Sequence, residues 1–115
     1  MAQLTVQNPV GAGITPSYVA AAGGGDYFVP DSGGLYLIHI KNGGGASITL
    51  TIDDPTSQSP PNASQFNPDV AVTVTNAQER MVLVDASRHK SPSTGQIVLT
   101  YSAVTSVTIG VFKLP

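Results

Sequence analysis

The chain has 115 residues, 41% of them hydrophobic and only 10% charged, with a formal net charge of −2. That length holds one domain with one modest core. The lack of cysteine excludes a disulfide framework, a thiolate zinc site and thiol catalysis, and the missing basic excess argues against a dedicated nucleic-acid binder.

A soluble domain ordinarily carries about 25% charged residues. Solubility here rests on Ser, Thr, Asn and Gln, which suits a surface shared with partners better than that of a free monomer. Twelve glycines and nine prolines without a tryptophan fit a turn-rich all-β chain.

Met1 to Val6 carries neither a positive n-region nor an apolar run of secretory length, and no stretch approaches the ~20 apolar residues that span a bilayer. The expectation is synthesis in the cytoplasm and no membrane partner. Residues Leu4 to Gln7 read as a short strand. Two readings stand for Met1 to Pro9: the first strand of the chain's own sandwich, or an arm that adds a strand to a neighbour through Leu4 and Val6.

Ile14 to Ala20, bent at Pro16, and Tyr27 to Val29 are weaker strand candidates. Leu35 to Ile40 is apolar on both faces, with Leu35, Leu37 and His39 on one side and Tyr36, Ile38 and Ile40 on the other. His39 in that setting reads as a core or interface histidine. Tyr18, Tyr27, Phe28 and Tyr36 read as core or subunit contacts, with a sugar-stacking platform as the alternative. Asn42-Gly43 is a hairpin signal leading into Ala46 to Ile52, where Ile48, Leu50 and Ile52 alternate with threonines.

Residues 53–68 form the longest irregular stretch, with Pro55, Pro60, Pro61 and Pro68 and one large apolar side chain, Phe66. It is either a mobile surface loop or an ordered contact loop in which Phe66 plugs a neighbour. Asp53 and Asp54 with Asn62 or Asp69 offer oxygen ligands for calcium, but no calcium-loop spacing is present.

Val70, Val72 and Val74 alternate with Ala71, Thr73 and Thr75, and Asn76 to Glu79 predicts a second hairpin. Met81 to Val84 and Ile97 to Tyr101 are apolar on both faces, so each expects cover from a second sheet, a loop or another chain. Arg88, His89 and Lys90 are the sole positive cluster, expected as an exposed basic loop that is either solvated or docked on an acidic partner. Asp85, His89 and Ser87 or Ser91 have the composition of a serine triad, yet no G-x-S-x-G elbow accompanies them. The glycine runs match neither G-x-G-x-x-G nor a P-loop. The expectation is no enzyme, no catalytic residue, no cofactor and no metal. Val107, Ile109 and Val111 mark the last strand. Eight or nine short strands without a helix predict one antiparallel β-sandwich or jelly-roll-like domain over residues 1–115.

The order of phrases is familiar: Gly13-Ile14-Thr15-Pro16-Ser17-Tyr18, Gly25-Asp26-Tyr27-Phe28, Gly33-Gly34-Leu35-Tyr36-Leu37, His39-Ile40-Lys41-Asn42-Gly43, then Gly95-Gln96-Ile97-Val98-Leu99-Thr100-Tyr101. It resembles the small β-rich capsid decoration (cement, or minor capsid) proteins of tailed bacteriophages, over nearly the whole chain apart from the Pro-rich 53–68 loop. The resemblance implies a homotrimeric structural protein on the outer capsid of the virion, at three-fold or quasi-three-fold positions, with the major capsid protein as partner. It implies no enzyme activity and no cofactor. Leu4, Val6, Phe66, Arg88, His89 and Lys90 are the candidate partner-binding residues. The alternatives are a head–tail joining or tail structural protein and, from another class, a carbohydrate-binding β module.

Overall fold

The computed structural model describes residues 2–31, 34–54, 69–91 and 94–114. Among these residues, ten strands and one helical turn occur in the order β1 (Ala2–Gln3), β2 (Val6–Gln7), β3 (Val19–Ala20), β4 (Asp26–Phe28), β5 (Leu35–Asn42), β6 (Ile48–Ile52), β7 (Val70–Val74), β8 (Glu79–Asp85), α1 (Ala86–His89), β9 (Ile97–Tyr101) and β10 (Val107–Lys113). They form two packed sheets, a small all-β sandwich. One sheet runs β1-β4-β9-β6-β7 and the other β2-β10-β5-β8, with β3 also on β10.

Period-two alternation decides which side chains meet between the sheets. Tyr36, Ile38 and Ile40 of β5, Ile48, Leu50 and Ile52 of β6, Ile97 and Leu99 of β9, and Val107, Ile109 and Val111 of β10 are all buried together. Their strand neighbours point the other way, because successive side chains in a strand alternate. The threonines of β6 thereby take the outer side, as the pattern predicts.

The connections differ from the expected hairpins. Asn42-Gly43 joins β5 to β6, which lie in different sheets, and residues 75–78 join β7 to β8, again across sheets. Both are inter-sheet arches. Buried Asn42 ties them together: its Nδ2 donates to the Ala46 and Val74 carbonyls, its Oδ1 accepts from Gly44 N–H, and its own N–H donates to the Gln78 carbonyl. Gly44 must lack a side chain, since a Cβ there would sit 2.8 Å from the Thr105 carbonyl oxygen. A turn motif specifies a local reversal, and it cannot report which sheet receives the next strand.

The described N-terminal residues pair with strands of the chain's own two sheets. β1 pairs in parallel with β4, and β2 pairs in parallel with β10, so the first seven residues cross from one sheet to the other. Leu4, at the crossing, donates its N–H to the Tyr27 carbonyl at 2.7 Å and is buried in the core. The central pairings are antiparallel as expected, and the parallel pairs lie at the sheet margins.

Candidate functional site

Three regions singled out by the sequence are positioned by this framework: the Arg88-His89-Lys90 segment, the aromatic residues, and the outer face of the β5–β8 pair.

The basic segment is a capped helical turn, not an exposed loop. Asp85 caps α1 by accepting from Ser87 N–H at 3.0 Å and from the Ser87 hydroxyl at 2.7 Å. Those bonds to Ser87 hold the Asp85 carboxyl below the usual carboxylate range. The turn drives His89 inward, where it is buried and its Nδ1–H donates to the Asp53 carbonyl at 3.0 Å. Arg88 lies along the protein, and its Nε donates to the fully buried Asp54 carboxylate at 2.9 Å. Of the three, Arg88 and Lys90 are exposed. The segment therefore staples the β6 exit to α1 and does not present three free cations.

The same contacts redistribute the triad and calcium candidates. Ser87 gives its hydroxyl to Asp85, and the His89 ring turns to a backbone carbonyl, so the Asp85, His89 and Ser87 relay is not assembled. Asp54 is matched with Arg88, and its N–H donates to the Asp69 carboxylate at 2.8 Å. Burial, followed by the negative charges of Asp69 and Asp54, pushes the Asp53 carboxyl up. Among the described residues, no three His, Asp or Glu side chains converge as a metal cage. Asn62, Phe66 and residues 55–68 of the Pro-rich stretch lie outside the described residues.

The four aromatics do not share a face. Phe28 and Tyr36 are buried in the core with ring centroids 5.5 Å apart, and Tyr27 is half-buried on β4. The Tyr36 hydroxyl donates to Asp31 at 2.9 Å, beside the Lys113 ammonium at 2.9 Å. Tyr18 alone reaches the outer face of the β10-β5-β8 sheet. It lies over Gly110, where a Cβ would come within 3.1 Å of its ring. These positions build no stacking platform.

Among the described residues, that outer face brings together His39 and Tyr18, both read from the sequence as core or contact residues. Register across β10, β5 and β8 arranges it in rows: Phe112–Leu37–Leu83, then Gly110–His39–Met81, then Thr108–Lys41–Glu79. In the second row, His39 bonds both ways, Nδ1 to the Tyr18 hydroxyl at 2.6 Å and Nε2 to Glu79 Oε1 at 2.8 Å. Nε2–H donates to the Glu79 carboxylate, and Tyr18 holds the other ring nitrogen. Burial and the Glu79 charge push the Tyr18 phenol up, so it keeps its proton. Lys41 Nζ sits 3.9 Å from the Tyr18 ring centroid, a cation–π contact.

Beside that polar lattice the face is apolar and open. Met81 is 65% exposed, Leu83 60% and Leu35 47%, with Leu37 half-buried between them. The expectation that Met81–Val84 is covered on both sides is met on the inner face, by Val84, and not on the outer face by any described residue. Of the candidate partner residues, Val6 is half-buried on β2 and Leu4 faces the core, so neither joins this surface. Leu35, Met81 and Leu83 are not among the partner-binding candidates of the sequence, although the two-sided apolar pattern of their strands carries the signal. No protein-family model, curated protein or solved structure matches the chain.

Proposed function

We propose that this chain is a structural virion protein that decorates and stabilises the outer surface of a tailed-phage capsid through non-covalent contacts with the major capsid protein. The observation that carries the reading is the open outer face of β5 and β8, where Leu35, Met81 and Leu83 stand exposed. Contiguous apolar surface of this kind marks protein contact. A sandwich with a polar, charge-poor remainder can lay such a face on a larger lattice without any chemistry. A trimer at three-fold or quasi-three-fold positions belongs to the same proposal. Binding only the assembled state stabilises that state by mass action, and many copies multiply the effect.

The test uses phage shells purified without this protein. Added chain is expected to co-sediment with them at hundreds of copies per particle and to raise the temperature at which they disrupt. Failure to co-sediment overturns the reading. A handful of copies per particle favours a head–tail joining ring instead.

A further inference from the structure

We propose that the free edge of β8 is a strand-acceptor site for an extended segment of a partner protein, apolar at two alternate positions and basic at the flanks. This rests on the decoration reading for the partner's identity, but its chemistry follows from β8 alone.

β8 is the terminal strand of its sheet, bonded to β5 on one side, and no described residue pairs with its other side. Seven residues of strand leave a row of N–H and C=O groups there, and such a row templates another strand. Proteins blunt long edges with prolines, bulges or charged side chains. β8 confines its charges to its two ends, Glu79 and Arg80 at one and Asp85 at the other, and leaves Met81 and Leu83 between them 65% and 60% exposed on the outer face.

The charges define the occupant. Glu79, which accepts from His39, and Asp85, which accepts from Ser87, both remain exposed to a neighbour and stand six residues apart, roughly 20 Å along a strand. Cross-strand pairs of opposite charge stabilise and like charges oppose. A partner strand with Lys or Arg at both ends and apolar residues between matches every outward position. Lys41, the register partner of Glu79 on β5, is drawn over the Tyr18 ring, on the side away from the free edge. Arg80 projects from the opposite face of the strand, and so lies outside this row of charges.

A second copy fits less well. Two β8 strands paired antiparallel about Val82 would set Met81 against Leu83 of the other copy. The same register sets Glu79 against Asp85, two carboxylates face to face. The surface therefore selects a basic-flanked segment over itself.

The test titrates isotope-labelled protein with the synthetic peptide Lys-Thr-Val-Thr-Val-Thr-Lys and with its Glu-flanked counterpart, following amide shifts and hydrogen exchange. Expected are shifts centred on residues 79–85, slowed exchange of β8 amides, and about tenfold weaker binding of the Glu-flanked peptide. The Met81→Lys, Leu83→Lys double variant, whose fold is checked by its thermal transition, is expected to lose the response. No shift at millimolar peptide, equal binding of both peptides, shifts elsewhere, or an unaffected double variant overturns the site. Concentration-dependent dimerisation of the free protein that protects the β8 amides overturns it in favour of a second copy. The shell assay separates the two proposals. If wild type and double variant co-sediment equally, the acceptor site falls, and decoration stands only through a surface other than Met81 and Leu83. If wild type fails to co-sediment, decoration falls and the peptide result judges the acceptor.

Discussion

The side-chain amide of Asn42, at the end of an inner strand of one sheet, donates to the main-chain carbonyl of Val74, at the end of the other sheet's edge strand, 3.1 Å away. Asn42 is only 2% exposed, so the pair bridges the two layers in the interior. With its bonds to Ala46 and Gly44, it supplies both a donor pair and an acceptor, which no other small side chain does.

Asn42→Ala is accordingly expected to cost about 2–4 kcal/mol, because three main-chain groups lose a partner at the arch. Asn42→Asp is expected to cost more, since a carboxylate faces the Ala46 and Val74 carbonyls. Urea denaturation measures both. A loss below about 1 kcal/mol for the alanine variant would show that the arches hold without the staple.

Arg88 matters for the charge it matches. Arg88→Ala leaves the Asp54 carboxylate, 0% exposed, without its guanidinium partner. The arginine is itself 42% exposed and its charge partly screened, so the expected loss is discounted to about 2–3 kcal/mol. An Asp54→Asn, Arg88→Ala double variant should recover part of it. Strictly additive losses would count against direct coupling.

The Tyr18 hydroxyl is expected to contribute about 0.5–1.5 kcal/mol through His39. Tyr18→Phe removes that bond and keeps the ring over Gly110. Gly110→Ala would push a Cβ into the ring and the Ser17 carbonyl, the latter at 3.0 Å. Once the ring is displaced, removing the hydroxyl should cost little. The check is a double-mutant cycle by thermal unfolding, where equal losses in both backgrounds sink the coupling between Gly110 and the Tyr18–His39 bond.

Acid sensitivity follows from Asp31. The Lys113 ammonium, then the Tyr36 hydroxyl, hold its carboxyl below its ordinary value of 3.8. A depressed folded-state value means the unfolded chain takes up the proton first. The stabilisation is complete above pH 3.8 and is lost as pH falls through the lower folded-state value. Asp53 works in the opposite sense, because its raised carboxyl favours the folded state as pH falls. Asp31→Asn should therefore flatten the fall in stability below about pH 4, read from urea midpoints across pH. An unchanged slope would assign the acid response elsewhere.

Much of this molecule is written in its period-two alternation. The inner faces of β5, β6, β7 and β10 are legible because a strand has two sides, and Tyr36, Ile38, Ile40 or Ile48, Leu50, Ile52 can be sorted by parity alone. The low charge and the doubly apolar β8 likewise announce a surface expecting company, since apolar residues on both faces cannot all enter one core. Local chemistry does not carry the rest. Asn42-Gly43 looks like a hairpin whether the next strand joins its own sheet or the opposite one. Arg88-His89-Lys90 looks like a solvated loop until Asp85 caps a turn that rotates His89 into the interior and Arg88 onto Asp54. Only the tertiary pairing leaves β8 at an edge, and only the packing of the sheets decides that the Met81 and Leu83 side of β8 is the outer one while Leu4 is buried. Edge position depends on which distant strands find each other, a global property that side-chain alternation within a single strand does not encode.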